Sequence, residues 1–176
     1  MKKRRILLIS LLVLIGMITF NFWMNSAYYA VHSKYTSQDE VPGIIVDHLD
    51  DVMYDTKYEH FGNYFLQTDG SKSISYNITT NVIGRSFGQE SLGYYYLKDE
   101  KNKEFKYYFD ENMSMIESDV SIDDGPYRSY QLTSKEEAKI RKELNELIKP
   151  LLKRVTKPFI NLQWLYDFIF RKHELL

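Results

Sequence analysis

From Ile6 to Met24 the chain runs for 19 residues without a charged side chain, directly after Lys2, Lys3, Arg4 and Arg5. As a helix rising about 1.5 Å per residue, such a run covers nearly all of the roughly 30 Å hydrocarbon core of a bilayer and can cross it with little tilt. Ser10, Gly16, Thr19 and Asn21 interrupt the apolar character without adding charge. Four basic residues precede the run and no acidic residue occurs before Asp39, so the positive-inside rule places the N-terminus in the cytoplasm and the rest of the chain outside. Ile6, Leu11, Leu14, Phe20, Phe22 and Trp23 are the expected lipid-facing residues. The rival reading is a cleaved secretory signal, which needs small residues three and one before the cut. Cutting after Ala27 puts Asn25 at the third position back, cutting after Ala30 puts Tyr28 there, and the run is longer than the ~7–15 residues of a signal core. The sequence therefore favours an uncleaved, single-pass signal anchor over residues 1–24.

The chain has no cysteine. That excludes disulfides and a thiol-linked lipid anchor, so an exterior domain of this size must be held by packing alone. A cysteine-free exterior also fits a Gram-positive envelope. Beyond the anchor, 19 Lys and Arg face 24 Asp and Glu. The imbalance is uneven: Val31 to Ser134 holds 9 basic against 18 acidic residues, and Lys135 to Leu176 holds 10 against 6. An acidic body argues against nucleic acid, whose phosphates call for a basic footprint. It suits a basic protein partner, and equally the solubility that any net charge confers.

The pattern divides the exterior into a polar stalk at 25–40, an α+β domain at 41–150 and an aromatic segment at 151–176. In Val41 to Tyr54, Ile44, Ile45, His48, Leu49, Val52 and Met53 recur at helical spacing, with Asp47, Asp50 and Asp51 on the other face and Pro42 in the first turn. Five strands follow, expected near His60–Thr68, Ser73–Ile83, Leu92–Lys98, Glu104–Phe109 and Met113–Ile122. Asp69-Gly70 is a hairpin signal, and Asp99 to Lys103 joins the third and fourth strands. Short sequential connections predict an antiparallel meander. Thr133-Ser134-Lys135-Glu136 is a capping box that opens a helix through Ile140, Leu144, Leu147 and Ile148, with Pro150 expected to kink or end it. The expected fold class is α+β, an N-terminal transmembrane helix followed by a meander of about five strands packed with helices. In the tail, Phe159 to Phe170 is too short to span a bilayer. It either packs on the sheet or rests on a membrane or partner surface.

No spacing supports catalysis. His32, His48, His60 and His173 are scattered, which leaves no paired-ligand zinc motif. Asp47, Asp50, Asp51 and Asp55 lack the glycine-punctuated loop that calcium sites favour. Gly84-Arg85-Ser86-Phe87-Gly88 lacks the lysine and helix of a phosphate loop and reads as a strand connection. The expectation is a non-enzymatic domain with no metal or cofactor.

Tyrosine is the outlier, at 15 residues in 176. Tyr94, Tyr95 and Tyr96 lie across a turn from Tyr107 and Tyr108, and strand alternation must turn some of these outward. Together with Asp99 and Glu104 they form a candidate partner-binding surface, since tyrosine offers large contact area at low entropy cost. Tyr95 and Tyr107 are the expected outward pair. Ordinary cross-strand aromatic packing remains the alternative.

The basic anchor, the cysteine-free α+β exterior, the tyrosine-rich segments Gly93-Tyr94-Tyr95-Tyr96-Leu97 and Phe105-Lys106-Tyr107-Tyr108-Phe109, and the capped helix together resemble the TipC family of streptococcal immunity proteins. The resemblance covers most of residues 1–150 and has no assignment for the Trp164 to Phe170 tail. It implies a stoichiometric inhibitor that occludes a type VII secreted toxin, such as a cell-wall-precursor phosphatase, at the outer face of the membrane. An accessory subunit of a secretion or cell-wall complex, with an anchor that contacts partner helices, is the other reading.

Overall fold

The structure, a computed structural model, describes residues 2–49, 64–67, 73–76, 81–88 and 91–170. Helix α1, Lys2–Met24, carries the apolar run, and none of that apolar stretch is fully buried against the rest of the chain. It is long and apolar enough to cross a membrane. Its Thr19 hydroxyl donates to the Ile15 carbonyl at 3.0 Å, which satisfies that polar group within the helix itself.

The segment expected to be a stalk is partly built into the domain. Helix α2, Ser26–Val31, buries Ala27 and Tyr29, the latter completely. Tyr29 stacks on Tyr166 at 5.5 Å and meets Phe22 edge-on at 5.1 Å. Polar composition hid one large aromatic that finds partners more than a hundred residues away.

Helix α3, Val41–Asp47, begins with Pro42 in its first turn as expected. Its expected continuation through Tyr54 lies, from residue 50, outside the described residues. Ile45, Val46 and Leu49 have no exposed surface. Gly43 permits the close approach of α3 to the sheet, since a Cβ there would stand 2.8 Å from the Tyr94 ring. His48 follows the helix, and its Nδ1 lies 3.1 Å from the Ser26 hydroxyl.

The sheet is an antiparallel meander, and the fold is α+β. Its strands are β1, Tyr64–Gln67; β2, Ser73–Tyr76; β3, Asn81–Gly88; β4, Ser91–Glu100; β5, Lys103–Phe109; β6, Met115–Ile122; and β7, Arg128–Ser129, paired in sequence order. The expected five-strand arrangement is present within the seven strands seen among the described residues. The expected second strand is divided into β2 and the start of β3, and β7 adds a short edge. Asp69-Gly70 lies outside the described residues, though the flanking strands pair Gln67 with Ser73.

Gly84 to Gly88, expected as a loop, is instead the second half of β3, paired from Gly84 with Tyr95 to Gly88 with Ser91. Gly84 leaves room there for the Tyr95 ring, since a Cβ at that position would stand 2.5 Å from the Tyr95 hydroxyl oxygen. Met113 lies outside β6, in a turn with φ 58°, and is almost fully buried. The Asp110 carboxylate holds that turn by accepting the amides of Asn112 and Ser114, both at 2.8 Å.

Helix α4, Ser134–Leu152, opens with the capping box: Thr133 Oγ1 accepts the Glu136 amide and the Glu136 carboxylate accepts the Thr133 amide. The helix runs two residues past Pro150. A proline so near the C-terminus disturbs only the last turn, where Leu151 is fully buried. Ile140, Leu144 and Ile148 close the core against α3 and the sheet residues Ile83, Tyr96 and Phe109. Each such aliphatic side chain contributes about 1.5–3 kcal/mol by leaving water. Helix α5, Gln163–Ile169, has no buried residue.

Candidate functional site

Alternation along β4 and β5 gives the sheet two chemically different faces. Tyr96 lies opposite Tyr107, and Tyr94 opposite Phe109, on the core face. Tyr94, Tyr96 and Tyr107 are 5%, 1% and 4% exposed. They therefore do not belong to an outer binding surface. Tyr107 in particular was expected outward, but the register pairs Tyr95 with Tyr108 and carries Tyr107 inward. There it stacks on Tyr96 at 5.9 Å, and its hydroxyl lies 3.2 Å from that of Tyr130.

The other face gathers Tyr95 across from Tyr108, Leu97 across from Lys106, and Asp99 across from Glu104. Strand β6 continues these rows with Glu117, Asp119 and Ser121. Asp99 and Glu117 are exposed, and Tyr95, Glu104, Lys106, Tyr108 and Asp119 are half-buried. Tyr95 crosses directly over Gly84, where the missing side chain leaves room for its ring. The Lys106 ammonium stands 5.1 Å from the Tyr108 ring and 5.9 Å from that of Tyr127. Tyr127, 45% exposed, donates its hydroxyl to Glu104. That hydrogen bond to a carboxylate, with some burial, pushes the Tyr127 phenol up to about 12. Burial, followed by the charges of Glu104 and Asp124, raises the Asp99 carboxyl above its ordinary range.

Tyr127 and Lys106 were not singled out from the sequence. Lys106 lies inside the tyrosine-rich segment and could have been included by alternation, since it shares parity with Glu104 and Tyr108. Tyr127 follows a loop and gave no periodic signal.

A second concave feature lies near α3. A cleft of 390 Å³ is lined in part by Glu40, Asp47, Arg85, Tyr94 and Glu111. Asp47 was expected on the polar side of its helix. Its carboxylate instead accepts Arg85 Nη1 at 2.5 Å and the Tyr94 hydroxyl at 2.8 Å. The hydrogen bond to Asp47 raises the Arg85 pKa, while burial first and that hydrogen bond second raise that of Tyr94. Arg85 is the lone basic residue between Lys72 and Lys98, a signal that could have marked it as a partner for an acid. Asp50, Asp51 and Asp55 lie outside the described residues, as do His60 and His173. His32 stacks on Tyr28 at 4.2 Å. Among the described residues no group of His, Cys, Asp and Glu is placed to hold a metal ion.

Of the expected lipid-facing residues, Ile6, Leu11, Leu14, Phe20 and Trp23 are half or more exposed. Phe22 is half-buried, turned toward Tyr29 and Tyr166. Comparison with known proteins finds no matching family model, no similar curated protein and no similar solved structure.

Proposed function

We propose that this chain is a membrane-anchored extracellular binding protein that captures and neutralises a secreted protein toxin, in the manner of the TipC-type immunity proteins it resembles. One observation carries the binding reading: Tyr95, Tyr108 and Tyr127 share the outer sheet face with Asp99, Glu104, Glu117 and Asp119, while the opposite face is closed by the core. Half-exposed tyrosines on a rigid sheet offer a large contact area that is already ordered, and the carboxylates favour a basic partner. The anchor supports a location at the membrane, with the N-terminus cytoplasmic and the domain outside. The toxin as partner comes from the resemblance.

The test is capture, by the full-length protein, of any secreted protein encoded by a neighbouring gene. Tyr95→Ala with Tyr108→Ala, and separately Asp99→Lys with Glu104→Lys, should weaken capture by tenfold or more, about 1.4 kcal/mol, without unfolding the domain. Unchanged capture by both variants would overturn the assignment of this face. Replacing residues 1–24 with an unrelated anchor should preserve neutralisation. Loss of activity on that exchange would favour the accessory-subunit reading instead.

A further inference from the structure

We infer that Phe159 to Phe170 seats on lipid of the outer leaflet beside the exit of α1, so that the domain meets the membrane at two places. The inference rests on the reading of α1 as a membrane span, and it starts from depth. Counted at about 1.5 Å per residue from Ile6, Asn21 lies roughly 22 Å along the span, within about 8 Å of the far boundary of a ~30 Å core. Asn21 Nδ2 donates to the Ile160 carbonyl at 3.3 Å. The Tyr29 hydroxyl lies 2.6 Å from Asn21 Oδ1 and 3.1 Å from the same carbonyl, and it accepts the Leu162 amide at 3.1 Å. Residues 160–162 are thus tied to the outer-leaflet quarter of the span.

At that level the segment presents apolar surface. Phe159 is 103% exposed, Trp164 70% and Phe168 63%, joined by Ile160, Ile169 and Phe170. Trp164 and Phe168 are one helical turn apart and share a face. The other side of α5 is occupied: Tyr166 stacks on Tyr29, and Gln163 donates to the Tyr29 carbonyl and to Asp167. Its one acidic residue is therefore turned to the protein. Tryptophan and phenylalanine beside a span are the composition of a membrane interface. Exposed Lys153 and Lys157 flank the patch and suit lipid phosphates.

This selects lipid as the occupant, because Ile160 is tied to Asn21 and Tyr166 meets Phe22, at the end of α1 where the neighbouring Phe20 and Trp23 are 60% and 61% exposed. A helix docked in this way would restrict rotation of the domain about its anchor and give the sheet a constant direction relative to the membrane.

The chain has two tryptophans, Trp23 and Trp164, so each can be read alone. Full-length Trp23→Phe and Trp164→Phe proteins would be reconstituted into vesicles of phosphatidylcholine and phosphatidylglycerol brominated near the top of the acyl chain. Trp164 should lose half or more of its emission to the bromines and be protected from aqueous iodide. Quenching of Trp23 but not of Trp164, with Trp164 open to iodide, overturns the inference and leaves the anchor intact. Trp164 shielded from both quenchers points to a protein occupant, a second copy or a partner helix, and also overturns it. If neither tryptophan meets bromine, α1 is not embedded and the spanning reading fails together with the inference.

Discussion

Tyr95 lies directly across the sheet from Gly84, so close that a Cβ on the glycine would stand 2.5 Å from the tyrosine hydroxyl oxygen. The ring fills the space that a side chain at position 84 would take. Gly84→Val should push the far end of Tyr95 aside while gaining strand propensity, leaving stability within about 1 kcal/mol of the parent. Binding through this face should weaken by an amount comparable to Tyr95→Ala. Chemical denaturation and partner titration on the same preparation check both halves. A large loss of stability would show that the ring cannot yield.

The two tyrosine sets should respond oppositely to truncation. Tyr95→Ala and Tyr108→Ala remove half-exposed rings and should cost about 1 kcal/mol or less. Tyr96→Ala and Tyr107→Ala leave cavities at the centre of the core and should cost about 3–5 kcal/mol. Equilibrium unfolding in detergent micelles distinguishes them. Equal costs across the four would contradict the two-faced sheet.

The buried phenols predict a pH response on the alkaline side. Burial raises the pKa of Tyr94, Tyr96 and Tyr107, assisted in turn by Asp47, Glu143 and Tyr130. A phenol that holds its proton more tightly when folded contributes stability that is fully present below its unfolded pKa of about 10 and is lost as pH rises above it. Tyrosinate absorbance should therefore show a late-titrating group that ionises together with loss of structure, and Tyr107→Phe should reduce its amplitude. A single smooth titration at the ordinary value, with the fold retained, would contradict this.

The capping box gives an acid-side counterpart. Thr133→Ala should destabilise α4 by about 1 kcal/mol. Hydrogen bonds from the Thr133 side chain and backbone lower the Glu136 pKa. The Glu136 contribution is present above the unfolded carboxyl pKa and is lost as pH falls through the folded one. The gap between parent and Thr133→Ala should accordingly narrow in acid, as read from thermal unfolding across that range.

Much of the architecture was legible because it is local. The uncharged run of α1, the Thr133 and Glu136 cap, the charged turn between β4 and β5 and the period-two strands depend on neighbours within a few residues, where backbone geometry dictates the pattern. The candidate face was half legible. Alternation requires that Tyr95 and Tyr96 point to opposite sides, but sequence alone does not say which side is inner. The outward reading of Tyr107 failed for that reason.

Local chemistry thus determined an apolar helix long enough for a membrane, an antiparallel meander and a capped amphipathic helix. Tertiary structure decided which tyrosines are buried, drew Asp47 inward to Arg85 and Tyr94, and joined Tyr29 to Asn21, Ile160 and Tyr166. These outcomes depend on where α3, α4 and α5 dock. Docking is set by the packing of whole surfaces, including the absence of side chains at Gly43 and Gly84, and no spacing within one segment encodes it.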